Sequence, residues 1–367
     1  MGFGLGDRLG GDTPGVRRPI FKLTVGTSSP EEWARRLVAA RVRAELAPAA
    51  DEAVLWLSPE GNRPTVGDAL SLALGYEDGG GGLAGALGVV GNGRGPSRIF
   101  TGTVASIELT LSSLQVRALN GGAKLQALRV WRWYEAQNAG DIVRDLAAQA
   151  GVATGAIEPG IQLPIYAMDG RRHAYQHVAA LARLCGFDAY LTPNDELVFG
   201  PFTKTTADHM FVYAEDVLAL AVDTSAPAVA QVTVIGESPA STQGADAWHW
   251  LASDWNRYQG KAGSGNPAVL VQARAVRTQE IAQALANNLL DRAMRGATHG
   301  FLRASGRAEV KIGDTVEMRG ASDDALNGLY QVVGVHHRLD RVGGFLTTLE
   351  LIAASEDRAL TRPLGGL

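Results

Sequence analysis

The sequence predicts a mainly β chain with an α+β insertion. Three observations predict it. Short runs rich in β-branched and aromatic residues recur from Pro19 at roughly 8–12-residue spacing, the pattern of an antiparallel barrel or sandwich. At Gly140 the period changes from strand-like to helical, and it stays mixed to about residue 200. Strands then return after residue 205 and continue to about 355. A chain of 367 residues, 46% of them hydrophobic, has material for two to three packed units.

Residues 1–17 are glycine-rich with scattered charges and read as a flexible arm. The first strand spans Pro19 to Gly26. Ser29-Pro30-Glu31-Glu32 is a helix start, with a Ser cap, Pro in the first turn and acids at the positive dipole end. WARRLVAARVRAEL then runs from a short helix into a strand. DEAVLWL is the next strand, and in VGDALSLALGY the residues Leu70, Leu72 and Leu74 alternate with Ala69, Ser71 and Ala73. Residues 77–98 are a glycine-rich loop. RIFTGTVASIELT, LSSLQVRALN and LQALRVWRWYEA follow as strands.

In DIVRDLAAQAG, Ile142, Val143, Leu146, Ala147 and Ala150 share a helical face that Gly151 closes. A second helix carries Val178, Leu181, Ala182 and Cys185 and stops at Gly186. FDAYLTPNDELVFG is a hairpin about a Pro-Asn-Asp turn. Strands resume with MFVYAED, LALAVD and VAQVTVIGES. An aromatic-rich insertion covers 240–266, a helix covers 278–296, and three closing strands include a hairpin turn at Gly343-Gly344.

The net charge of −4 carries no global attraction to nucleic acid or anionic membrane. No secretory signal, myristoylation pattern or apolar run long enough for a membrane span is expected. Cys185 is the lone cysteine, so no intramolecular disulfide forms.

The order of these segments resembles the late-control D family of tail hub proteins, found in contractile phage tails, R-type pyocins and contractile injection systems. It is similar as well to the N-terminal hub region of VgrG. The resemblance is carried by ADEAVLWL, VGDALSLALGY and RIFTGTVASIELT, then by RVWRWYEAQNAGDIVRDLAAQAGV. HAYQHVAALARLCGFDAYLTPNDELVFGP continues it, and VKIGDTVEMRG with NGLYQVVGVHHRLDRVGGFLTTLEL closes it, over roughly residues 20–355. It implies two tube-like antiparallel β-barrels, at 18–133 and 205–355, flanking a small helix-hairpin domain at 134–204. The insertion 240–266 and helix 278–296 would belong to the second barrel.

The implied role is a non-enzymatic baseplate hub, a homotrimer that adapts a sixfold inner tube to a threefold spike. Its partners would be a separate spike protein, since no triple-stranded β-helix follows residue 355, an inner tube or tube-initiator protein, and wedge proteins. A tape measure or cargo in the lumen is a further one. Assembly would take place in the bacterial cytoplasm, within a particle that lysis releases. The tail 356–367, with Arg358, Leu360, Arg362, Leu364 and Leu367, is the expected spike-docking segment.

Gly91-Asn92-Gly93-Arg94-Gly95 lacks the helix that a phosphate loop needs, because Pro96 and a strand follow. His173 and His177 lie four apart but lack a third ligand, and His336 and His337, adjacent in a strand, point to opposite faces. Trp248, Trp250, Trp255 and Tyr258 are interface anchors or, in the alternative reading, a glycan- or cargo-binding surface. Trp131 and Trp133 straddle one strand face. There is no G-x-S-x-G, Cys185 lies on an apolar helix face, and the acids Asp323-Asp324 and Asp195-Glu196 sit in turns. A tail-associated wall hydrolase is the third reading. No catalytic residue, metal or cofactor is expected.

Overall fold

The computed structural model describes residues 18–27, 30–77, 95–236 and 258–354. The arm 1–17, most of the glycine loop, most of the aromatic insertion and the tail 356–367 lie outside them. The described residues form twenty strands and five helices.

The first segment is β1 Arg18–Val25, α1 Pro30–Arg36, β2 Leu37–Glu45, β3 Glu52–Leu57, β4 Ala69–Glu77, β5 Ser97–Leu109 and β6 Leu114–Leu119. Next come α2 Gly122–Ala127, β7 Arg129–Asn138, α3 Ala139–Ala150, β8 Ala153–Ile157, β9 Gln162–His173, α4 Ala174–Cys185, β10 Phe187–Leu191 and β11 Glu196–Pro201. The remainder is β12 His209–Val212, β13 Val217–Thr224, β14 Gln231–Gly236, β15 Gln259–Gly263, β16 Ala268–Ala273 and α5 Gln279–Gly296. Four strands close the chain: β17 Thr298–Ser305, β18 Thr315–Arg319, β19 Gly328–Asp340 and β20 Gly344–Ala353.

Twelve of these strands make one sheet, in the order β1-β4-β5-β6-β3-β2-β19-β20-β17-β13, with β18 and β12 branching from β19. The alternation read from the sequence is realised in β4, where Leu70, Leu72 and Leu74 are each at most 1% exposed. They join Leu23, Leu55, Leu57, Leu114 and Val116 in the first core. Apart from Trp33, that core is built from the sheet's own strands and from Ala308, Leu339 and Phe345. A sheet face this dry needs a cover, and here the sheet supplies it by folding over itself. A second core, with Phe211, Leu302, Val316, Tyr330, Val332 and Leu349, is built the same way from β12, β13 and β17–β20.

The long hairpin β19–β20 belongs to both cores. Its base packs Tyr330, Val332, Val335, Leu349 and Leu351 into the second core, while Leu339 and Phe345 at its tip enter the first. One edge of β19 is shared in the same way. Gly328 to Gln331 pair with β18, and Gly334 to Asp340 pair with β2. A bulge between Val332 and Gly334 marks the handover. Gly343-Gly344 makes the expected turn. Asp340 Oδ1 accepts from the amides of Val342 and Gly343, and Gly344 takes φ +67°, where a side chain would be strained.

The expected unit boundaries need correcting at two places. The boundary at 133/134 falls inside β7, which pairs with β9 and not with the first sheet. The expected second barrel also yields part of its length to the middle unit. There, β14, β15 and β16 form a separate three-stranded sheet. Val232, Val234, Ala262, Ile281, Ala282 and Leu285 share one core with Leu125, Ile142, Leu146, Val178, Leu181 and Phe199. The apolar face of α5, with Ile281 and Leu285, is covered by this core; a sheet already folded over itself has no free face for it.

The shared hairpin generates a prediction. Phe345 is 2% exposed, contacts the rings of Tyr76 and His337, and leaves no space for even a methyl group at Gly306. Phe345→Ala should cost about 3–5 kcal/mol in urea unfolding. Hydrogen exchange should rise in β1, β4 and β5 as well as in the hairpin. Loosening confined to β19–β20 would contradict a core shared between the two halves.

Candidate functional site

The most exposed aromatic surface among the described residues is a two-stranded ribbon of β7 and β9. Along RVWRWY, Val130 and Tyr134 turn inward, and Trp131 and Trp133 turn outward with 81% and 66% of their surfaces exposed. The inward side is pinned to α3: the Tyr134 hydroxyl donates to Asp145 Oδ2 at 2.5 Å, and Arg132 Nη1 donates to the same oxygen at 2.8 Å. Burial opposes the Asp145 carboxylate, but the hydrogen bonds from Tyr134, Gln149 and Arg132 prevail and hold its pKa below the usual range. Burial pushes the Tyr134 hydroxyl up to about 12. Trp131 lies against Gly170, whose φ is +70° and where a Cβ would come within 2.2 Å of the indole nitrogen. The ribbon therefore presents two indoles on a constrained backbone.

Of the expected interface residues, Trp248, Trp250 and Trp255 lie outside the described residues, as do Arg358, Leu360, Arg362, Leu364 and Leu367. Tyr258 is half-buried just before β15. Among the described residues the exposed indoles are those of Trp131 and Trp133, which alternate with Arg132 in the sequence.

Several titratable groups have structural partners. His173 caps α4, its Nδ1 accepting from the Gln176 amide at 3.1 Å while the Gln176 side chain accepts from the His173 amide. His177 is buried, with Nδ1 3.1 Å from the Tyr166 hydroxyl. The pair serves two different contacts, so their spacing does not make a metal site. His337 is buried against Thr347, and burial pushes its pKa down to about 3, whereas His336 is half-exposed on the opposite face. Burial pushes the Cys185 thiol up to about 11, away from thiolate chemistry. Asp323 Oδ1 accepts from the Ala325 amide within its turn. β5 starts at Ser97, so a strand follows the glycine loop.

Buried polar groups lie near the contact between the first β unit and the middle unit. Asp51 Oδ1 accepts from the Glu45 amide at 3.0 Å, and Asp51 Oδ2 accepts from Asn120 Nδ2 at 2.7 Å. Asp195, from the β10–β11 turn, accepts from the Gly121 amide at 2.6 Å. Burial dominates at Asp51 and pushes its carboxyl up to about 8.

No sequence-family profile and no curated protein matches the chain. Solved structures do match its fold. The 43 kDa tail protein of prophage MuSo2 from Shewanella oneidensis is 12% identical, with TM-score 0.66, over 93% of this chain and 99% of that one. The tail protein from Neisseria meningitidis MC58 is 12% identical, with TM-score 0.69, over 91% and 96%. An E. coli component of the type VI secretion system, described as structurally similar to T4 bacteriophage tail proteins gp27 and gp5, gives 11% identity and TM-score 0.57 over 93% and 79%. The chain therefore has the fold of phage tail proteins and of this type VI component, and the fold expected from its segment order.

Asp51 gives a signed pH prediction. The folded chain holds a proton on a carboxyl that releases it near 3.8 when unfolded. Stability should therefore be full below about pH 4, fall as pH rises, and level off above about pH 8. Asp51→Asn removes this component. Urea midpoints measured between pH 5 and 9 should show the variant's curve flatter than the wild type's. Parallel curves would contradict a proton-bearing Asp51.

Proposed function

We propose that this chain is a structural subunit of a phage-tail-like particle. Its specific role is a baseplate hub that forms a homotrimer and adapts a sixfold inner tube to a threefold spike. The observation that carries the reading is the likeness of nearly the whole chain to two tail proteins of nearly the same extent. The packing supports it. Two self-covered β units joined by one continuous sheet make a stiff body, and three copies would offer six comparable units around an axis. A heterologous contact repeated with closure gives such a ring.

The exposed indoles of Trp131 and Trp133 supply the anchor for that contact. Tryptophans on a constrained strand are typical of residues that dominate association energies. The assembly partners in this reading are other copies of the chain, a tube protein and a separate spike protein, brought together in the bacterial cytoplasm.

Electron micrographs of the purified chain, alone or with its spike protein, should show threefold particles. Trp131→Ser with Trp133→Ser should raise the subunit dissociation constant by roughly tenfold or more, with an unchanged circular dichroism spectrum. A chain that stays monomeric at high concentration with spike and tube proteins present would overturn the hub reading. Unaltered trimers in the double variant would remove the ribbon from the interface.

A further inference from the structure

We infer a divalent-cation site at the seam of the two β units, made by Glu45 of β2, His336 of β19 and Glu350 of β20. The inference is independent of the hub reading. The three residues come from adjacent strands. Gly334 is the cross-strand partner of both Glu45 and Glu350, and His336 lies two residues further along the same face of β19. One ligand atom from each residue lies within 4.8 Å of the others.

His336 Nε2 is 3.1 Å from Glu350 Oε1 and 3.9 Å from Glu45 Oε1. Ligands of a tetrahedral Zn2+ at 2.0–2.2 Å stand about 3.3–3.6 Å apart, so small side-chain adjustments bring all three onto one ion. Two further features point to a ligand. The Nε2 atom of His336 is shielded from solvent yet makes no well-aligned hydrogen bond. The Glu350 carboxylate lies back over Gly334, where a Cβ would stand 2.8 Å from Oε2. A glycine at that bulge leaves room for the carboxylate beside the imidazole.

Arg43 also ion-pairs with Glu45, but its side chain is 60% exposed and able to swing into solvent. One imidazole and two carboxylates suit a borderline cation such as Zn2+ better than Mg2+ or Ca2+. The bound ion would tie β2 to β19 and β20 where the first unit's sheet continues into the second's.

The test uses the full chain, stripped with EDTA and desalted, with ZnCl2 as the only added ligand. Calorimetry should give one saturable equivalent, and Zn2+ should raise the thermal midpoint in an EDTA-reversible way. Co2+ should give visible absorption of low-coordinate character. His336→Gln and Glu350→Gln, both on the outer face, should each weaken binding at least tenfold. His299→Gln, at an exposed histidine whose Nδ1 lies 3.2 Å from the Gly296 carbonyl, should leave it unchanged. Absence of a saturable equivalent, equal binding in the His336 and Glu350 variants, or equal stabilisation by Mg2+ would each overturn the site.

Discussion

The structure depends on the pairing of β2 with β19. Seven residue pairs, from Glu45 opposite Gly334 to Ala39 opposite Asp340, join segments nearly three hundred positions apart. Without them the twelve-stranded sheet divides into two, and Leu339 and Phe345 lose their place in the first core. Bringing such distant strands together has a closure cost that grows slowly with length, but the contact forms only after much of the chain is ordered. The hairpin repays that cost twice, because its base and its tip bury apolar side chains in different cores.

The units are distinguished by apolar cores, and several of their contacts are polar. Tyr76 of β4 donates from its hydroxyl to the Phe345 carbonyl at 2.9 Å and accepts from the Gly306 amide at 3.1 Å. Gln331 of β19 donates to Asp188 of the middle unit at 2.5 Å and accepts from Arg295 of α5 at 2.8 Å. Apolar burial is non-directional and would tolerate a range of relative placements. Such hydrogen bonds require particular ones, because a misplaced buried partner is left unsatisfied. The proton on Asp51 is a consequence of burying a carboxylate.

Much of the fold was legible in the sequence, and the reason is local. Leu70, Leu72 and Leu74 declare a one-sided strand. Gly151 and Gly186 take the left-handed φ of +65° and +70° at the ends of α3 and α4, where helix periodicity stops. Unit boundaries were not legible, because they are decided by distant partners. Nothing in RVWRWYEA says that it pairs with Gln162–His173, and nothing in the α5 sequence says which unit covers Ile281 and Leu285. The candidate site follows the same division. His336 and His337 were correctly placed on opposite faces from strand geometry alone. The nearness of Glu45 and Glu350 to His336 is not legible in the sequence, because only the sheet's register creates it.

That division bears on how one fold can be built from such different sequences. The tail proteins it superimposes on share about one residue in eight with it, 12%. Self-covered β cores demand alternation and volume, which many sequences satisfy. The demanding positions are those where a Cβ would meet main chain or a packed ring, among them Gly140, Gly260 and Gly300 against backbone and Gly306 beneath Phe345, with Gly334 at the bulge where β18 yields to β2. A side chain at Gly306 would collide with the ring that links the two cores. One at Gly334 would displace Glu350 from the seam. The architecture is thus held at close-approach glycines as well as by its cores, while the exposed indoles of Trp131 and Trp133 lie outside the buried cores.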